Sequence, residues 1–145
     1  MSLRIEYKIP TPSEWQYLRS LSEWKIFSKE AFREAAKHSV CGVCVYDQNK
    51  IVGMGRIVGD GIICFYIQDV FVIKEYRNKH IGTLIVQHLL KHIKSCGEKG
   101  ATIALFSHIG TERFYEQFGF LVREKNGKGS GMYLPFSKLE EFIYE

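Results

Sequence analysis

The stretch DVFVIKEYRNKHIGTLIVQHLL, Asp69–Leu90, decides how this chain is read. It begins inside an apolar run, IICFYIQDVFVI (Ile62–Ile73), interrupted only by Gln68 and Asp69. Such a run fits a central strand covered on both faces. A basic loop follows, with Arg77, Lys79 and His80. Ile81, Leu84, Ile85, Leu89 and Ile93 then recur at helical spacing through Ile81–Cys96, with Gly82 in the first turn and Gly97 as the stop. The first N–H groups of a helix lack internal partners, and the helix places partial positive charge there. Phosphate oxygens answer both, worth ~0.3–2 kcal/mol from the dipole alone. The junction therefore reads as a phosphate-binding turn, although it is neither a G-x-x-x-x-G-K-[ST] loop nor a G-x-G-x-x-G turn.

Upstream, Leu3, Ile5 and Tyr7 alternate with charge as a first strand. Thr11, Pro12 and Glu14 start a helix to about Leu21, and Ser28 opens a second with Ala31, Phe32 and Ala35 on its stripe. Val40–Tyr46 and Ile51–Val58 flank the turn Asp47–Lys50 as a hairpin. Downstream, Ala101–Phe106 reads as a buried strand and Gly110–Phe118 as a short helix. FLVREK, from Phe120, and MYLPF, from Met132, read as the last two strands, on either side of the loop NGKGSG. SKLE (Ser137–Glu140) has capping-box form, which predicts a short C-terminal helix. The order β-α-α-β-β-β-α-β-α-β-β predicts an α+β domain on a central mixed sheet of about six to seven strands with about four helices.

The 145 residues suggest one domain, spanning 1–145. Hydrophobic residues at 46% and charged residues at 25% are ordinary for a globular chain. No apolar run reaches ~18 residues, so no membrane span is expected, and the first residues lack a signal core, so a cytoplasmic protein is expected. A net charge of +4 permits an anionic ligand but is too weak and dispersed for nucleic acid. Cys41 and Cys44 form C-x-x-C on a strand, where residues three apart face opposite ways, so they read as small hydrophobes. His88 and His92 sit four apart on a helix without a third ligand, so no metal is expected.

Val70, Val72, Arg77 and Gly82, spaced V-x-V-x-x-x-x-R-x-x-x-x-G, resemble motif A of the GNAT superfamily of N-acetyltransferases. SHIGTERFYEQFGF (Ser107–Phe120) is similar to that family's second block, N-x-x-A-x-x-[FL]-Y-E-x-x-G-F. The resemblance implies the GNAT fold, with the central strand splaying from the next one at the cofactor site, and acetyl-CoA as cosubstrate. It implies that the loop Arg77, Asn78, Lys79, His80, Ile81, Gly82 and Thr83 holds the pyrophosphate. It implies that Val70, Phe71 and Val72 lie along the pantetheine arm and acetyl group. His108 stands at the family's Asn position, where it contacts that arm or serves as a base, and Tyr115 matches the usual general acid near the sulfur. His80 replaces a glycine of the motif, which a helical backbone at that residue would tolerate.

The chemistry asks for a neutral nitrogen. An amine of pKa ~10.4 is neutral about once in 2,500 molecules at pH 7, a cost of ~4.6 kcal/mol that a base or relay must offset. Gln68 cannot take a proton. Strand alternation predicts that Asp69 faces away from Gln68, and Asp69, His108 and an ordered-water relay are the candidate bases. The catalytic candidates are thus Tyr115 and Asp69. Trp15, Trp24, Phe27, Phe32, Tyr46 and Tyr66 make an aromatic-rich acceptor site conceivable. The expected activity is transfer of an acetyl group to a primary amine of a small molecule by direct attack in a ternary complex. Acetylation of a protein lysine or N-terminus, and a non-catalytic acyl-CoA sensor, are the alternatives. MYLPF offers an edge for pairing with a second copy in a homodimer.

Overall fold

Thr11 sets the first helix in place by a reciprocal cap. Its hydroxyl accepts from the Glu14 amide at 3.2 Å, and the Glu14 carboxylate accepts from the Thr11 amide at 2.9 Å. In the computed structural model, which describes residues 2–143, this helix is α1 (Pro12–Ser20). It follows strand β1 (Leu3–Glu6) and precedes α2 (Lys29–Lys37), which Ser28 caps. Next come β2 (Cys41–Asp47), β3 (Lys50–Gly59), β4 (Cys64–Val72), α3 (Ile81–Cys96), β5 (Thr102–Ala104) and α4 (Glu112–Glu116). The chain divides into two compact units, Met1–Leu105 and Phe106–Glu145.

In the first unit the strands lie in the order β1-β2-β3-β4-β5, antiparallel except for the parallel pair β4 and β5. Helix α3 covers one face. Gly53 and Gly55 let it approach: a Cβ at Gly55 would stand 2.6 Å from Ile85 Cγ2 and 3.0 Å from Leu89 Cδ1. Ile81, Ile85, Val86, Leu89 and Ile93 are buried there. The opposite face holds α1 and α2, with Trp15 and Phe32 stacked at 4.5 Å. Cys44 is buried, its thiol pushed up to about 12 chiefly by burial, and it donates to the Lys8 carbonyl at 3.3 Å.

Strand β4 starts two residues later than its apolar run predicts. The Asp60 carboxylate accepts from the amides of Ile62, Ile63 and Cys64 at 2.8, 2.8 and 3.0 Å, which holds Ile62 and Ile63 in a turn. Strand β5 is shorter than expected and not buried, with Ile103 41% exposed. It pairs only with Cys64, Phe65 and Tyr66. Beyond Tyr66 no described strand lies along that edge of β4, which is the expected splay.

The pairing of β3 with β4 carries a bulge. Arg56 faces Gln68 and Met54 faces Phe71, so Gly55 alone opposes both Asp69 and Val70. Asp69 takes the left-handed conformation, φ 57°. The extra residue corrects the expectation that Asp69 faces away from Gln68. Asp69 instead shares the α1 side of the sheet with Arg56, and alternation resumes with Val70 toward α3. Asp69 is the buried charged residue of the core. One carboxylate oxygen accepts from Arg19 Nη2 and the other from Arg56 Nε, each at 2.8 Å. Arg56 Nη1 donates onward to Ser39 Oγ, just past α2, at 3.1 Å.

In the second unit the two strands expected at FLVREK and MYLPF do not form, so the sheet has five strands rather than six or seven. Local bonds compete with extension there. Arg123 Nε donates to the Gly129 carbonyl at 2.7 Å, the Lys128 amide to the Arg123 carbonyl at 3.0 Å, and Asn126 Nδ2 to the Val122 carbonyl at 2.8 Å. These bonds curl Val122–Gly129 around a 3-10 turn at Glu124–Asn126. The expected C-terminal helix is a 3-10 segment, Phe136–Phe142, that follows Pro135 rather than a capping box.

Replacing Asp69 with Asn leaves two buried guanidinium groups facing one neutral acceptor. Asp69→Asn is expected to lower unfolding free energy by ~3 kcal/mol or more, read as a shift of the urea midpoint at unchanged slope. A separate pH effect comes from Asp60, whose carboxyl the three amides hold below its ordinary range. Its contribution is present above the unfolded carboxyl value of ~3.9 and is lost as pH falls through the folded value. Asp60→Asn keeps an acceptor oxygen without the charge, so stability measured by thermal melts falls less steeply below about pH 4 than in the wild type.

Candidate active site

The loop between β4 and α3 is built without internal partners for the helix start. Among the described residues no side chain caps α3, and its first turn carries no acid. Helices α1 and α2 differ, each capped by its own Thr or Ser. The first backbone bond of α3 runs from the Leu84 amide to the His80 carbonyl at 3.0 Å, so the amides of Ile81, Gly82 and Thr83 belong to the unpaired first turn. Asn78 (φ 62°) and His80 (φ 63°) both adopt the left-handed conformation. His80 is therefore the N-cap and not a helical residue, which corrects the premise on which its Cβ would be tolerated. A glycine would hold this conformation without strain, whereas a histidine bears a cost on the order of 1–2 kcal/mol.

The loop's cations are fixed at its flanks. Arg77 Nε donates to the Val72 carbonyl at 2.9 Å, and its guanidinium lies 5.5 Å from the centre of the Phe71 ring. Lys79 and Lys50 lie over Tyr76 at 5.5 and 5.9 Å. The Tyr76 hydroxyl donates to the Asp47 carboxylate, which anchors the loop to the β2–β3 hairpin.

The structure thus brings Val70, Phe71 and Val72 into one run on the open edge of β4, followed after Ile73 and the 3-10 turn Lys74–Tyr76 by Arg77–Thr83. Val70 lies toward α3, where its Cγ2 would stand 3.4 Å from a Cβ at Gly55. Asp69, two residues before Phe71, is turned to the α1 side and held by Arg19 and Arg56. Neither arginine is among the residues expected at the site. The available signal was one acid in an otherwise apolar strand, which needs a buried counter-charge.

Tyr115 and His108 belong to the second unit. Tyr115 lies on α4, half-buried, with edge contacts to Phe114 and Phe120 at 5.0 and 6.1 Å. Burial raises its phenol above the ordinary value, which keeps the O–H protonated and able to donate. His108 is exposed, and its carbonyl accepts from the Thr111 amide and hydroxyl at 2.9 and 2.6 Å.

Uncapped helix amides, adjacent cations and no acid in the first turn suit a diphosphate. The unpaired edge of β4 suits a ligand arm bearing amides, which can bond to a strand edge. The residues present therefore fit coenzyme A.

The family model described as an acetyltransferase (GNAT) domain matches residues 10–136. The chain is similar to the structure of a probable acetyltransferase from methicillin-resistant Staphylococcus aureus, with 30% identity and a TM-score of 0.84 over 93% of this chain and all of that one. A GNAT-family acetyltransferase from Streptococcus pneumoniae shares the fold at 21% identity and a TM-score of 0.78, over 93% of this chain and 99% of that one. So does Arabidopsis thaliana Naa50, solved with the bisubstrate analogue CoA-Ac-MVNAL, at 18% identity and a TM-score of 0.68, over 84% and 85% of the two chains. No curated protein matches significantly. With a family match that takes in most of its length, the chain belongs to the GNAT family of acetyltransferases, whose acyl donor is acetyl-CoA.

Proposed function

We propose that this protein is an N-acetyltransferase that moves the acetyl group of acetyl-CoA to a primary amine of a small molecule by direct attack. The observation that carries this reading is the uncapped, acid-free start of α3 beside the open edge of β4. The amides of Ile81, Gly82 and Thr83 bind the diphosphate, and the side chains of Arg77, Lys79 and His80 add donors to the same loop. Asn78 serves through its left-handed backbone, which turns the loop toward the helix start.

Val70, Phe71 and Val72 orient the pantetheine arm and the acetyl group through their backbone. An N–H aimed at the acetyl oxygen stabilises the charge that develops there; loss of one such donor in other enzymes costs ~10²–10³ in rate. Tyr115 gives the departing thiolate its proton, and His108 contacts the arm. Coenzyme A supplies only a good leaving group and the activated acyl carbon. Asp69 is a poor base in this arrangement, since each of its oxygens already accepts from an arginine. Gln68 has no proton-accepting group to lend, so ordered water carries the amine's proton away.

Calorimetry with coenzyme A tests the binding half. An acid placed in the first turn of α3 stabilises the helix by ~0.3–1 kcal/mol but repels the diphosphate. Thr83→Glu is therefore expected to hold or raise the melting temperature while weakening coenzyme A at least about tenfold. No heat from the wild type at millimolar coenzyme A would refute the reading. The chemical half is tested by Tyr115→Phe, expected to cut thiol release about tenfold or more while the acetyl-CoA Kd stays within about twofold. An unchanged rate removes Tyr115 from the acid role.

A further inference from the structure

Arg19, near the end of α1, reaches three parts of the first unit at once. Its Nη2 donates to Asp69 on the β4 bulge, and its Nη1 donates to the Lys25 carbonyl in the α1–α2 connection, both at 2.8 Å. Its guanidinium carbon lies 5.6 Å from the ring centres of Trp24 and Phe27 and 5.7 Å from that of Phe32. Trp24 in turn meets Phe71 at 5.7 Å between ring centres. Phe71 is the residue between Val70 and Val72, so the connection is docked beside the stretch assigned to the acyl arm. The Phe27 carbonyl is fixed as well, by Gln16 Nε2 at 2.9 Å.

We propose that Arg19 is a positioning residue for the acceptor, holding the Trp24 ring against Phe71 so that Leu21–Phe27 forms a fixed wall for an amine carried on an aromatic or aliphatic body. The proposal rests on the acetyltransferase reading. The wall is apolar: Leu21, Ile26 and Phe27 are 48%, 45% and 46% exposed. Its two charges, Glu23 and Lys25, are of opposite sign. Arg19 and Arg56 are engaged elsewhere, Arg19 on Asp69 and the Lys25 carbonyl, Arg56 on Asp69 and Ser39. A phosphorylated amine thus meets no arginine within Leu21–Phe27 and finds Arg19 and Arg56 committed, and a polycationic amine meets only Glu23 there. A hydrophobic amine meets area it can bury. The planar guanidinium matters because it bonds in two directions while lying over rings, which an ammonium group cannot do.

The test follows thiol release from acetyl-CoA with phenethylamine, spermidine and glucosamine 6-phosphate. It compares the wild type with Arg19→Gln, Arg19→Lys and Trp24→Ala, alongside acetyl-CoA calorimetry and hydrogen exchange of residues 21–28. Phenethylamine is expected to be the preferred acceptor. Arg19→Gln and Trp24→Ala raise its KM about tenfold, with kcat within about threefold and the acetyl-CoA Kd within about twofold. Arg19→Lys, which keeps the charge without the fork, recovers part of the loss. Exchange in residues 21–28 speeds up in Arg19→Gln. A merely structural role would deplete active protein, lowering kcat and the melting temperature while leaving KM in place, and that result overturns the proposal. Unchanged exchange overturns it too, as does preference for spermidine or the phosphorylated sugar. Acetyl-CoA heat without turnover of any of the three amines also overturns it. Absence of that heat in the wild type is a different failure, which takes the acetyltransferase reading down first and the acceptor wall with it.

Discussion

One carboxylate, Asp69, sets the arrangement of the α1 side of the sheet. It is buried on a bulge, with a guanidinium from α1 on one oxygen and a guanidinium from β3 on the other. Taking a charge out of water costs several kcal/mol, so these groups are tolerated only in each other's company. The end of α1, the residue past α2 and the middle of β4 must therefore meet at one point. The same bulge returns Val70 to the α3 side and leaves Phe71 to meet Trp24. A two-for-one mismatch in a ladder thus decides which side chains of β4 meet α3 and which meet the α1–α2 connection.

The two faces of the first unit treat polar groups in opposite ways. On the α1 side, one buried carboxylate is shared by two arginines, and Thr11 and Ser28 close the helix starts. On the α3 side the helix packs tightly over Gly53 and Gly55, yet its first turn is left open and flanked by cations. Packing seats the body of the helix, while its first turn keeps amides without internal partners. An uncapped, acid-free start on a well-packed helix is a local arrangement that favours an anion.

Much of this was legible in the sequence. The capping box at Thr11, the cap at Ser28, the hairpin around Asp47–Lys50 and the extent of α3 follow from local chemistry that acts within a few residues. The acid-free start of α3 after a basic loop was legible for the same reason. The bulge was not, because alternation counts residues on one strand and cannot register an extra residue against the partner. Arg19 and Arg56 were not, because they stand 50 and 13 residues from Asp69 in the chain. FLVREK and MYLPF looked like strands because short apolar runs carry no record of competing turns. The bonds of Arg123 and Asn126 decide that region locally.

The short companionship of β5 has a further consequence. Past Tyr66, no described strand pairs with this edge of β4, and an unpaired strand edge is the kind of rim onto which foreign chains add themselves. A cosubstrate whose arm occupies that rim blocks such additions and, by mass action, favours the folded form. On the proposed reading, the acyl donor would then guard the folded chain as well as feed the reaction.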